Sequence, residues 1–377
     1  MNFILLVAIG ITLLTSVVIV VRWGNLICEG NLPTNLFAFS AILFTSGLDV
    51  GLIMFPLTEF PQYEQDAAYG FANPLAVEFG MWGFLVWAFY FLTTFYFCKI
   101  EPHVRLFEIP AVKFVNNFVV IATCAFTGFL FLSYLPTYVE GISAVAQYGL
   151  VAAVVLSAVF SSSDIKYVKI LSIASTWLFF ALIVLMWGAT DMGFVGFGIS
   201  ASNLGEYFSN IHRFIAPISE LHAFYLFWWF SWSIMIGQFV SRFLSPLKTW
   251  QLLLALLVIP SIPIAVWFSV LYHYHVYALE ISETLKACLV IVGVIFVINS
   301  LDSLIRLYTV SLKITAQEIG QKTYVVGNTL AMLTLILLYE FTPLKMEWVG
   351  LVVIALYSAI YMLLYLRRQT LAEANWA

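Results

Sequence analysis

From Phe224 to Gly237 the chain reads FYLFWWFSWSIMIG, the middle of an apolar run of membrane length that carries Trp228, Trp229 and Trp232. A second run, MWGFLVWAFY over 81–90, repeats the theme with Trp82, Trp87 and Tyr90. In lipid, indoles gather at the two interfaces, so rings near the middle of two separate crossings ask for another explanation. A box of aromatic faces around a cation supplies one, at roughly 0.5–2 kcal/mol per good contact. Helix–helix packing by large aromatics is the competing one.

Around these two runs the chain is apolar throughout. Of its 377 residues 63% are hydrophobic and 10% charged, and its mean hydropathy is +0.99, which excludes a soluble globule. Crossing a hydrocarbon core about 30 Å thick takes roughly 20 helical residues. Apolar runs between polar breaks predict about eleven spans, at 2–21, 36–57, 76–98, 113–136, 144–161, 167–188, 219–243, 248–271, 284–312, 322–340 and 347–366. The fold class is therefore an all-α polytopic membrane protein. The first run lacks a basic leader region and is closed by Arg22-Trp23, so it reads as a retained helix and not a signal peptide. Cys28, Cys98, Cys124 and Cys288 have no metal or disulfide spacing and read as packing residues.

Basic residues recur in alternate connections: Arg22; Lys99, Arg105 and Lys113; Lys166 and Lys169; Arg242 and Lys248; Arg306, Lys313 and Lys322; Arg367 and Arg368. The opposite set, Glu59, Glu64, Asp66, Glu140, Asp191, Glu206, Glu280 and Glu283, is acidic. The positive-inside rule then predicts an external N-terminus and a cytoplasmic C-terminus, in what reads as a bacterial inner membrane. Only the connection 189–218 is long, and its NLGEYFSNIHRFI segment fits either an amphipathic interfacial helix or an ordered loop. Spans two to six and seven to eleven form two sets of five that start on opposite sides, as an inverted repeat requires. The domains are thus 1–35 (first helix and loop), 36–188 (first repeat), 189–218 (external connection) and 219–377 (second repeat and tail). Gly47 and Gly51 inside span two, and Gly237 after the Trp cluster of span seven, predict interrupted helices at corresponding positions, the sequence pointer to a midplane transport site.

These residues resemble the betaine/choline/carnitine transporters. WGFLVWAFY (82–90) is similar to that family's W-G-x-H-x-W-A-x-Y segment, and FYLFWWFSWSIMIG (224–237) to its F-Y-W-A-W-W-I-S-W-S-P-F-V-G signature. FSAILFTSGLDVGLIMF resembles the glycine-rich F-S-A-G-M-G-I-G-L-x-F helix, and VINSLDS the F-x-T-S-A-D-S segment. The likeness runs from about Arg22 to Arg368 and implies a LeuT-like inverted five-plus-five helix repeat with one extra N-terminal helix. It also implies a shortened member, without the family's usual first helix or the long tails that some members use for osmotic sensing.

On an ideal helix Trp82, Tyr90 and Trp87 fall near roughly 0°, 80° and 140°, one broad face. The resemblance implies that Trp82, Trp87, Tyr90 and Trp229 surround a quaternary ammonium group, while Phe224, Trp228 and Trp232 line the inner pathway. Asp49 stands where the family has a middle glycine; an ionisable residue near a bilayer centre marks function by default. It fits a counter-ion for a cation such as choline, a proton-coupling group, or a buried cap for unwound backbone. Gly47, Gly51, Ser300, Asp302 and Ser303 correspond to an implied sodium site of hard oxygens, with Asn299 in place of a threonine. Thr123 and Thr127 offer a second site or bond back to helix carbonyls. Glu78, one turn before the box, reads either as facing an outer vestibule or as solvated near an outer helix end, Lys286 and Glu283 as interfacial, and His273 and His275 as a surface loop cluster or, less simply, a metal pair.

No opposed mid-span histidine pair or G-x-x-x-x-G-K-[ST] loop occurs, which argues against a haem protein and an ATP-driven pump; no nucleophile–base pattern supports an enzyme. The expected function is secondary transport of a quaternary ammonium solute (choline, betaine or carnitine type), with H+ or Na+ as coupling ion and no cofactor or metal. The other class is a non-transporting ligand sensor or complex subunit on the same core, motivated by Asp49, Asn299 and Ile234, the last standing where the signature has proline. The expected partners are a small cationic or zwitterionic solute and membrane lipid, with a homotrimer implied by the resemblance and no nucleic acid.

Overall fold

The computed structural model describes residues 1–48 and 50–373. Among them, ten helices are long and apolar enough to cross a membrane: Asn2–Trp23, Pro74–Val104, Pro110–Tyr138, Ala144–Ser162, Lys166–Gly188, Glu220–Phe243, Thr249–Val276, Glu283–Leu312, Gln321–Phe341 and Met346–Leu366. The remaining crossing, span two, is built from three pieces, Leu36–Gly47, Val50–Met54 and Pro56–Gln65. Numbered in chain order, these are the eleven spans expected, and the protein is an all-α polytopic membrane protein. Local chemistry sets the starts. Asn35, Asn73, Ser143, Ser219 and Ser282 accept from the backbone N–H three residues on, and Pro74 and Pro110 occupy first helical positions where no N–H is needed.

Burial sorts the spans into layers. Span one is 28% buried along its apolar window, with Phe3, Leu14 and Val21 facing outward, whereas spans three and seven are 83% and 89% buried and form the centre. The packing repeats internally. Span two lies on span six as span seven lies on span eleven; span five on nine as ten on four; span six on nine as eleven on four; span three on seven as eight on two. Exchanging spans 2–6 for 7–11 thus maps these contacts onto one another. Because equivalents are five crossings apart, the two halves are inverted.

The breaks differ in place from the glycine reading. Span two is interrupted where expected, with Leu48 in extended conformation after Gly47. Span seven, however, is continuous from Glu220 to Val240. Gly237 does not break it; a Cβ there would stand 2.5 Å from Cβ of Thr93, so this glycine is needed for close packing of span seven on span three. The second interruption is in span three: its helix ends at Trp82, Gly83 is extended, Phe84 has φ of 45° and Phe84–Val86 form a 3-10 turn before Trp87. Span eight breaks at the equivalent place, between Thr249–Val258 and Ser261–Val276, and the two breaks touch through Phe84 N–H donating to Ser261 Oγ at 2.8 Å.

Two outer features also differ. The 203–215 segment is not one amphipathic helix but a five-residue helix, Gly205–Ser209, and a 3-10 turn, Ile211–Arg213. Asn203 and Asn210 turn their amides back on nearby carbonyls, competing with helix continuation. His273 and His275 lie in the last turn of span eight, where His275 Nε2 meets Glu64 Oε1 at 3.0 Å, and no three-residue metal-binding group exists among the described residues.

Gly237→Val should lower the thermal unfolding midpoint in detergent by the equivalent of about 1–3 kcal/mol of overpacking. Gly149→Ala, where a new Cβ meets nothing within 4 Å, should be neutral or stabilising. Intrinsic-fluorescence melts of the two variants check the contrast.

Candidate functional site

Breaking a helix in hydrocarbon releases carbonyls that must be capped inside the protein. At the span-three break the caps are indoles. Trp87 Nε1–H donates to the Trp82 carbonyl at 3.1 Å and Trp229 Nε1–H to the Met81 carbonyl at 2.7 Å. At the span-two break the Gly47 and Leu48 carbonyls accept from Tyr90 Oη at 3.4 Å and Ser300 Oγ at 3.0 Å, the Leu52 carbonyl from Trp267 Nε1 at 2.8 Å, and the Met54 carbonyl from Tyr138 Oη.

These caps draw the expected rings together. Trp82 and Trp229 meet edge to face with centroids 5.1 Å apart, Trp87 and Tyr90 at 5.0 Å, and Tyr90 and Trp229 at 6.4 Å. Trp228 stacks on Trp229 at 5.2 Å and 8°, and Phe224 lies 5.7 Å from Trp228. All but Phe224 are buried, as is Trp232, which sits one turn further along span seven with its Nε1 unpartnered among the described residues. The glycines of span two form the facing wall. A Cβ on Gly47 would stand 3.1 Å from Trp87, and one on Gly51 would stand 2.4 Å from Trp82. Asp49, between them in sequence, lies outside the described residues. The single-face projection of Trp82, Trp87 and Tyr90 does not apply, because the helix breaks between Trp82 and Trp87; they converge because the break folds Trp87 back onto the Trp82 carbonyl.

The expected ion residues divide. Ser300 and Ser303 do reach span two: Ser303 Oγ lies 3.1 Å from Ser46 Oγ, and Ser300 bonds the Leu48 carbonyl. Asp302 turns away to pair with Arg306 at 3.0 Å. Arg306, expected in a cytoplasmic loop, is buried in span nine, where it also donates to the carbonyls of Ser161 and Asp164 at the end of span five. An arginine satisfying freed carbonyls at a helix C-terminus needs a counter-charge, and Asp302 supplies it. Thr127 Oγ1 bonds back to the Thr123 carbonyl at 3.2 Å, while Thr123 Oγ1 is buried without a partner among the described residues. Asn299 donates to Ser175 at 2.8 Å.

Sequence reading missed one group. Glu59 and Glu78, expected at solvated outer ends, are 2% and 0% exposed. Span two continues as helix to Gln65 and lays Glu59 against the start of span three. Tyr63 Oη lies 2.6 Å from Glu59 Oε2 and 2.7 Å from Glu78 Oε2, and Tyr225 Oη donates to Glu59 Oε2 at 2.8 Å. The signal available was Glu78 inside the apolar string PLAVEFGMW, one turn before Trp82.

No family model matches the chain. It is 29% identical over 279 residues to an uncharacterized transporter of Haemophilus influenzae, an alignment covering 61% of this chain and 41% of that one. It is 24% identical over 284 residues to the glycine betaine transporter OpuD of Bacillus subtilis, covering 62% and 54% respectively. The chain thus aligns with about half the length of these curated relatives. The solved structure of a substrate-bound, outward-open Na+-coupled sialic acid symporter matches all of this chain and 82% of that one, at 13% identity and a TM-score of 0.41. Both curated relatives are transporters, the class of protein to which the chain is distantly similar. The likeness to OpuD agrees with the resemblance to betaine transporters read from the two tryptophan segments.

Trp229→Phe keeps the ring and removes the cap on the Met81 carbonyl. It should destabilise the protein by about 1–3 kcal/mol, whereas Trp250→Phe, on an exposed position, should stay within about 0.5 kcal/mol; thermal melts in one detergent compare them.

Proposed function

We propose that this protein is a secondary transporter that carries a quaternary ammonium solute, of choline, betaine or carnitine type, by alternating access. The observation that carries this reading is the convergence of Trp82, Trp87, Tyr90 and Trp229 on the glycine-lined break of span two. Three broken spans meet there, and interrupted helices of inverted repeats are where transporters bind substrate. Faces of indole and phenol attract a methylated ammonium that offers no hydrogen-bond donor. The edge-to-face contacts at 5.0–5.1 Å describe a closed state, and solute binding requires these rings to part. Trp228, Trp232 and Phe224 extend the aromatic lining along span seven as the pathway from that site.

Ser46, Ser300, Ser303 and the Leu48 carbonyl bring hard oxygens of spans two and nine together, a donor set suited to Na+. Asp302 is left out of it by its pairing with Arg306. The charge bias of the connections supports an external N-terminus and a cytoplasmic C-terminus in a cell membrane. The repeat boundaries 36–188 and 219–377, joined by 189–218, are the two halves that move against each other around the site.

Proteoliposomes containing the full chain should accumulate radiolabelled choline, betaine or carnitine under a sodium or proton gradient. Trp229→Ala and Trp87→Ala should each weaken apparent affinity by about 2–30-fold, the loss of one cation–π contact. Quenching of tryptophan fluorescence without flux would assign ligand binding without carriage. Neither quenching nor uptake for any of the three solutes would overturn the reading.

A further inference from the structure

The buried carboxyl pair beside the box poses a proton-counting problem. Tyr63 Oη is in short contact with both Glu59 Oε2 and Glu78 Oε2, and Tyr225 Oη with Glu59 Oε2. Tyr225 Oη also lies 3.0 Å from Glu59 Oε1, so its one proton is shared between the two oxygens of a single carboxyl, whereas Tyr63 Oη bridges two carboxyls at 2.6 and 2.7 Å with one proton of its own. The second of these short contacts is filled by a proton on a carboxyl. Among the described residues neither glutamate is ion-paired with a lysine or arginine, and two bare carboxylates in a dry site would repel each other, the situation in which two acids share one proton. Among the described residues Glu78 Oε1 is buried with no hydrogen-bond partner, as is Trp82 Nε1 one turn along the same helix.

The pair adjoins the box directly. Trp82 is four residues from Glu78, and the Tyr225 ring lies 5.6 Å from Trp82 and 6.3 Å from Trp229. Among the described residues the groups facing it are otherwise neutral or engaged. Span four contributes Tyr134, stacked 3.9 Å from Phe55, and Tyr138; residues 67–69 contribute Tyr69, bonded to Ser219. His222 of span seven accepts from the Ile218 N–H. Span eight offers Tyr272 and His275 against Phe60, with His275 held by Glu64, and Glu206 is bound to the Asn73 N–H. Asp66 caps Ala68.

We propose that Glu59 and Glu78 form a proton site that holds a shared proton while the aromatic box is closed and releases it when a cationic solute occupies the box, so that cation and proton exchange for one another. This rests on the box being a quaternary-ammonium site. A cation one helical turn from the pair stabilises its second negative charge. The carboxyl O–H bond breaks, its electron pair stays on the carboxylate and the proton passes to water, with nothing oxidised or reduced. Parting of span four from span two, now sealed by the Phe55–Tyr134 stack, gives that water access. A zwitterion carries its own carboxylate, so betaine should displace the proton far less than choline.

Three measurements on the purified full chain in nanodiscs test this. Infrared spectra should contain a protonated-carboxyl C=O band at neutral pH, reduced in Glu78→Gln; no such band in the wild type at neutral pH overturns the inference whatever the solute does. Choline binding, followed by tryptophan quenching, should tighten by up to about tenfold per pH unit raised, the limit for one displaced proton. It should become pH-independent in Glu59→Gln/Glu78→Gln. Wild-type protein in weak buffer with a pH dye should release up to one proton per choline bound and much less per betaine, a readout that needs no variant to fold. Choline binding with no proton release and no pH dependence overturns the exchange and leaves the solute site standing. A carboxyl band without binding of any quaternary amine overturns the solute reading and the exchange together, leaving a proton site unconnected to transport.

Discussion

A carbonyl released inside a membrane must find a donor within the protein, since neither lipid nor bulk water supplies one. The centre of this protein is organised by that requirement. Breaks in spans two and three free the carbonyls of Gly47, Leu48, Leu52, Met54, Met81 and Trp82, and each is met by a side chain, all but that of Trp87 from another span. Five of the six donors are indoles or phenols, on spans three, four, seven and eight. An aromatic ring can cap a carbonyl with its polar edge while its faces stay apolar, so capping leaves π-faces available at the middle of the bilayer. Breaking the helices and lining the site with rings are one structural event.

The cost of the arrangement is visible in its orphans. Trp82, Trp228 and Trp232 keep indole N–H groups buried without partners, as do Glu78 Oε1 and Thr123 Oγ1 among the described residues. Unpaired buried polar groups cost on the order of 1–3 kcal/mol each; others lie away from the rings, at Asn116, Asn117, Ser161, Ser172 and Ser245. The closed rings are held by ring contacts that the proposed opening would exchange for contacts with solute and water.

Inverted repetition explains why the breaks face each other. Span three and span eight occupy equivalent places in the two halves, and both are interrupted. Their junction, Phe84 N–H to Ser261 Oγ, ties one repeat's loose end to the other's. Arg306 performs a similar service at the end of span five, with Asp302 held as its counter-charge and so removed from the serine cluster that spans two and nine share.

The spans, their number and the two tryptophan segments follow from the sequence alone, because hydrophobic run length and Trp spacing are local properties that a membrane reads directly. Gly47 also announced the break beside it. What only the tertiary structure decided was where backbone geometry and burial depend on a neighbour. Gly237 fits Thr93 and does not unwind its helix; Gly83, no more conspicuous in the chain, marks the break, because Ser261 and the indoles of Trp87 and Trp229 stand ready to cap what it frees. Glu59 looks solvated until the helix carrying it runs on to Gln65 and folds against Glu78. Hydropathy sums over a single segment, whereas capping and proton sharing are settled between segments far apart in sequence, and that is why the fold was legible in the chain and the carboxyl pair was not.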